Sequence, residues 1–89
     1  MSEVLRLREE VEWRLVEGEV LALDMASQTY LSANRTGAVV WSALADGATR
    51  EELVARLVAV FDVSENAASA DVDAFLGALR ARGMLAGGE

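Results

Sequence analysis

The sequence contains no cysteine, no histidine and no lysine. The first two absences remove thiol nucleophiles, disulfides, thiolate and imidazole metal ligands, and the commonest general base. Six serines are present, yet a Ser-His-Asp triad is impossible without histidine and a Ser–Lys dyad without lysine. Charged residues interrupt every apolar run well short of the ~20 residues that a membrane span needs. No basic start leads into an apolar stretch of the kind that marks a secretory signal, so a cytoplasmic location without a membrane partner is expected. Positive charge is scarce as well: eight arginines face 15 acids, for a net charge of −7. The deficit is spread evenly, with 7 acids and 3 arginines in residues 1–33 and 8 acids and 5 arginines in residues 34–89. No basic half exists to grip phosphate, which argues against a nucleic-acid partner.

What is present suits one small folded unit. With 89 residues, 53% of them hydrophobic, residues 1–89 are expected to form a single domain whose function lies on a surface or groove, because so small a core leaves little room for an internal cavity. Val11, Trp13 and Leu15 alternate with Glu12 and Arg14 at the period of a strand. Gly18 offers a turn into a second strand over Val20–Met25, and Ala26-Ser27-Gln28 connects it to a third at Thr29-Tyr30-Leu31. Val4–Leu7 reads as a further short strand.

After Leu31 the period lengthens. Asn34 is an N-cap for a helix with Gly37, Val40, Trp41 and Leu44 on one face, closed by Asp46-Gly47. Thr49 and Glu52 make a T-x-x-E capping box for a second helix that carries Leu53, Val54, Leu57, Val58 and Phe61 and stops at Asp62. A third helix starts at Ser64 or Ser69, aligns Ala68, Val72, Phe75, Leu76 and Leu79, and ends at Gly83. Met84 and Leu85 fold back, and Ala86-Gly87-Gly88-Glu89 reads as a frayed tail. Three antiparallel strands followed by three helices make an α+β fold.

Chemistry-bearing clusters are few. Glu9, Glu10 and Glu12 have no apolar surroundings to shift a carboxyl, and Asp71 and Asp73 point in different directions on a helix. The terminal glycines have no helix after them to cradle a phosphate. Gly37 sits inside a helix at a cost of ~1 kcal/mol relative to alanine, which points to a close approach of the sheet. Trp13, Tyr30, Trp41, Phe61 and Phe75 all suit a core face by spacing, Tyr30 and Trp13 least clearly. No catalytic residue, metal or cofactor is expected, and the protein is not expected to be an enzyme.

From Leu23 to Leu85 the chain resembles the PqqD-like family, the leader-peptide recognition elements of ribosomal peptide biosynthesis. The resemblance is carried by Thr29-Tyr30-Leu31-Ser32 running into Asn34-Arg35-Thr36-Gly37, by Asp46-Gly47-Ala48-Thr49 with Glu52-Leu53, and by Phe61-Asp62-Val63, Asp71-Val72, Phe75-Leu76, Leu79 and Gly83-Met84-Leu85. Ala26-Ser27 stands where the family has a Thr-Gly-like turn. Within the family the chain is most similar to the stand-alone proteins of lasso-peptide pathways. That resemblance implies a winged helix-turn-helix-like fold. It also implies that a precursor's leader pairs with the third strand, at Gln28, Thr29, Tyr30, Leu31 and Ser32, and packs on the third helix at Val72, Phe75, Leu76 and Leu79. Implied partners are the precursor leader peptide, a cysteine peptidase and an ATP-dependent cyclase. Arg80 and Arg82 are candidates to meet acidic leader residues, against the commoner use of arginine at a helix C-terminus. Competing readings are an adaptor or chaperone for a modifying enzyme, a homodimer through an open strand edge, and a winged-helix DNA regulator, the last disfavoured by charge.

Overall fold

The structure, a computed structural model, describes residues 3–87. Its elements in chain order are β1 (Arg6–Leu7), β2 (Val11–Val16), β3 (Glu19–Asp24), β4 (Thr29–Ala33), α1 (Arg35–Asp46), α2 (Arg50–Phe61), α3 (Glu65–Ala81) and β5 (Leu85–Ala86). The expected meander is present as an antiparallel sheet of order β2-β3-β4, and three helices follow it in a winged helix-turn-helix-like α+β arrangement. Register is set by burial. Val20, Ala22 and Asp24 of β3 turn inward beside Leu31 and Ala33 of β4, so a one-residue slip would move this set to solvent.

Local signals place the helices where the sequence puts them. The Asn34 carboxamide accepts the Gly37 N–H at 3.0 Å. Thr49 and Glu52 close the capping box in both directions, at 2.8 and 3.2 Å, which satisfies two N–H groups that the first turn leaves orphaned. Ser64, not Ser69, caps α3, its hydroxyl accepting from the Ala67 N–H at 3.1 Å. Gly83 supplies the left-handed residue after α3, with φ +69°. The core joins the inner sheet face to Val40, Trp41 and Leu44 of α1, Leu53 and Leu57 of α2, and Val72, Leu76 and Leu79 of α3.

Three expectations need correction. The strand at Val4–Leu7 shrinks to two residues and does not extend the meander; it pairs with β5, Arg6 opposite Ala86 and Leu7 opposite Leu85, while Leu5 bridges to Ala48. Ala86 is therefore not a frayed tail. Gly87 follows at φ +85°, where a Cβ would stand 2.6 Å from the Val4 carbonyl oxygen; Gly88 and Glu89 lie outside the described residues. The alternation in β2 does not mark one buried face either. Val11 is buried, but Trp13 and Leu15 are exposed, Trp13 resting edge-on against the buried Trp41 with ring centroids 5.9 Å apart. Among the described residues no helix is long and apolar enough to cross a membrane.

Candidate functional site

Strand β4 pairs with β3 on one side only, so its other side is open within the three-stranded sheet. Alternate residues of such an edge direct unpaired N–H and C=O groups outward, ready to accept another strand. Beside this edge runs a surface groove of about 480 Å³. Leu31 and Ala33 of β4, Val40 of α1 and Leu57 of α2 supply apolar lining, and α3 forms the opposite wall. Gly37 makes the groove possible: a Cβ there would stand 2.9 Å from the Ala33 Cβ and 3.0 Å from Phe75 Cε1. The side-chain-free position lets α1 approach the end of β4 while Phe75 lies across the junction. The close approach expected of Gly37 is thus to the sheet and to α3 together.

The turn that feeds β4 is built by side chains. Asp24, buried at the end of β3, accepts the Ala26 N–H at 3.1 Å and the Ser27 hydroxyl at 2.9 Å. Ser27 also hydrogen-bonds the Thr29 hydroxyl at 2.8 Å, and Gln28 takes a left-handed φ of +57°. An aspartate-centred turn here replaces the glycine-based one of the family pattern, and it holds the start of the open edge in place.

The residues expected at the site fall into three groups. Leu31, Ser32 and Phe75 line the groove. Gln28 and Thr29 belong to the turn and the start of the edge, and Tyr30 presents its backbone on the same strand. The Tyr30 side chain, however, is 75% exposed and stands opposite Leu23 on the sheet face turned away from the helices. That overturns its expected place in the core. Val72, Leu76 and Leu79 are buried and hold α3 to the rest of the molecule. The apolar stripe of α3 is the attachment of the wall, while its exposed side is a neighbouring stripe of Asp71, Ala74, Phe75, Ala78 and Arg82. A signal for this second stripe exists: these positions recur at i, i+3, i+4, i+7 and i+11, and two alanines flanking an aromatic leave room for an occupant.

One charged pair outside the groove ties two helices together. Arg50 makes a two-pronged hydrogen bond to Asp73, at 2.7 and 2.9 Å, joining α2 to α3. This bond holds the Asp73 carboxyl below the usual aspartate range, the Arg50 charge adding to the effect and Arg80 contributing further. Such a carboxylate stabilises the fold above its ordinary pKa, and that contribution disappears as pH falls through the lowered value. In the Arg50→Ala variant the Asp73 carboxyl should titrate at higher pH than in the parent protein, measured by NMR; an unchanged titration would refute the coupling. Arg50 is one of two arginines on α2, with Arg56, and its guanidinium is engaged by an acid. Among the described residues no group of three or more acidic, histidine or cysteine side chains is placed to hold a metal.

Comparison with known proteins agrees with this fold. The family model for coenzyme PQQ synthesis protein D (PqqD) matches residues 19–85. The solved structure of TbiB1 in complex with the TbiA(beta) leader peptide is similar with a TM-score of 0.84 and 28% identity, over 90% of this chain and 93% of that one. A lasso peptide synthetase B1 complexed with the leader peptide gives a TM-score of 0.79 and 27% identity, over 92% and 96%. No curated protein sequence matches.

Proposed function

The chain belongs to the coenzyme PQQ synthesis protein D (PqqD) family, and from that premise we propose that it binds the leader segment of a ribosomally made precursor peptide, of the lasso-peptide kind. It acts as a binding protein, not an enzyme. The observation that carries this reading is the groove itself, bounded by an unpaired strand edge and a helix wall of small residues around Phe75. Such a site suits an extended peptide: the edge offers main-chain hydrogen bonds to any sequence, and the pockets between β4 and α3 select side chains. The leader peptides in the two similar structures support the same reading.

In this reading residues 28–32 receive the leader as a fourth, antiparallel strand, and Phe75 packs on it. Val72, Leu76 and Leu79 contribute by holding α3 at the right distance. The whole chain acts as one recognition domain in the cytoplasm and presents the core peptide to a cysteine peptidase and an ATP-dependent cyclase. Tethering raises the local concentration of the core at the enzyme, which then needs little affinity for the sequence it processes.

Calorimetric titration with a synthetic leader from the precursor encoded beside the protein tests the proposal, together with amide hydrogen exchange of the complex. One-to-one saturation is expected, with new protection of alternate amides in Thr29–Ala33. Absence of binding at high peptide concentration, or protection confined to other strands, would overturn it.

A further inference from the structure

Two opposite charges face the groove from one helix. Among the described residues, Asp71 and Arg82 are the charged ones that line it, and they occupy the same stripe of α3 with Ala74, Phe75 and Ala78 between them. Their neighbours on the adjoining stripe behave differently. Asp73 is bound to Arg50 and also feels Arg80, so these charges serve the packing of α3 on α2. The Asp71 carboxylate takes part in no hydrogen bond or ion pair with the described residues, and the Arg82 guanidinium donates to the Ala78 carbonyl of its own helix, at 3.3 Å. A guanidinium has five donors, so this bond leaves most of its capacity open. In a chain of net charge −7, a cation in a groove whose remaining lining, Asp71 aside, is apolar or uncharged is a selective feature.

We propose that Arg82 and Asp71 read two charges on the bound peptide: an acidic side chain at Arg82, and a basic or hydrogen-bond-donating one at Asp71. The inference rests on the leader-binding reading and adds a rule for which leaders fit. Eleven helical residues span about 16 Å. An extended strand covers that distance in about five residues. Side chains on one face of a strand are an even number of positions apart, so the matching leader segment carries its two polar side chains about four or six positions apart, with apolar residues for the Phe75 pocket between them.

The charges supply something that strand addition lacks. A one-residue slip of an added strand exchanges its two faces and is rejected by the pocket, whereas a two-residue slip restores both the faces and the main-chain hydrogen bonds. Charges fixed at the two ends of the groove distinguish these otherwise equivalent registers. They also set the direction of the peptide, since reversing it would place like charges together.

The test is a charge-exchange series read by fluorescence anisotropy at low salt. The probe is the labelled leader of the precursor encoded beside the protein, with each charged residue reversed in turn. Against the parent protein, reversal of one acidic position should weaken binding about five-fold, the scale of a partly screened ion pair. Arg82→Glu should weaken the unaltered leader to a similar extent and regain affinity for that one reversed peptide. Asp71→Arg should do the same for a position about four or six residues away. Arg82→Gln, which removes the charge without opposing the helix dipole, separates recognition from any loss of helix stability: it should make the parent and reversed leaders bind alike. If parent and variants rank the whole series identically while still binding the leader, the charge rule is overturned and leader recognition stands. If the parent binds no leader at all, both fall.

Discussion

Ala74→Trp is expected to abolish useful leader binding, raising the dissociation constant by at least about thirty-fold, while thermal stability changes little. Ala74 is an exposed position on the groove side of α3. An indole there would occupy the space that the peptide needs between α3 and the β4 edge. Loss of a central contact of this kind typically costs about 2 kcal/mol or more, which is the thirty-fold change. The helix itself tolerates tryptophan, and exposed substitutions outside special backbone positions usually stay within about 0.5 kcal/mol. Calorimetric titration and a melting curve on the same sample check both parts. Tyr30→Ala is the informative contrast. Its side chain points away from the groove beside Leu23, so affinity should stay within about twofold of the parent, since a side chain outside the contact contributes little. If Tyr30→Ala weakened binding as much as Ala74→Trp, the peptide would lie on the outer face of the sheet.

Trp41→Ala should be the most destabilising single change among the aromatic residues. Trp41 is fully buried within the cluster that joins α1 to the sheet, and the Trp13 ring packs against it edge-on at 5.9 Å. Truncating a buried tryptophan typically costs about 3–5 kcal/mol, because the lost transfer energy is joined by a cavity that the surroundings only partly fill. A domain of this size has about 5–15 kcal/mol in total, and each kcal/mol moves its Tm by about 4–8 °C. A fall in Tm of more than about 12 °C is therefore expected in thermal denaturation. Trp13→Ala should cost much less, since the same residue type at the rim is 37% exposed. Equal losses from the two variants would contradict the assignment of Trp41 as the central core residue.

Much of this fold could be read from short-range chemistry. The Thr49–Glu52 capping box, the Asn34 and Ser64 caps and the Asp46-Gly47 stop are each decided by residues within one turn of one another, and each is present. The β1–β5 pairing was hidden for the opposite reason. Two residues near the start meet two near the end, too few for any periodicity to register and too far apart for local propensity to help. Trp13 and Leu15 misled because alternation reports which side of a strand a residue occupies, not whether a helix covers that end of the strand. At the site, the edge at residues 28–32 came from the family resemblance, and the strand found there runs from Thr29 to Ala33 with Gln28 in the turn before it. The helix wall was harder, because Val72, Leu76 and Leu79 have the strongest apolar pattern and that pattern belongs to core packing. The surface available to a ligand is marked by Ala74 and Ala78, whose significance is their small size. Hydrophobicity points to what a domain hides, and a groove is made by what it leaves out.

One feature of the sheet also bears on how the protein behaves at high concentration. Its outer face carries Leu21 and Tyr30, 52% and 75% exposed, next to the half-buried Leu23, and among the described residues no helix covers them. Sheets of this kind ordinarily guard their edges with lysine or proline, and the sequence contains neither. Colloidal stability then depends on self-repulsion from the net charge of −7. As pH approaches the pI of about 4.5, that repulsion fades while the apolar face remains. The carboxylates that give this molecule its negative charge are also its solubilising coat, one that acid strips away.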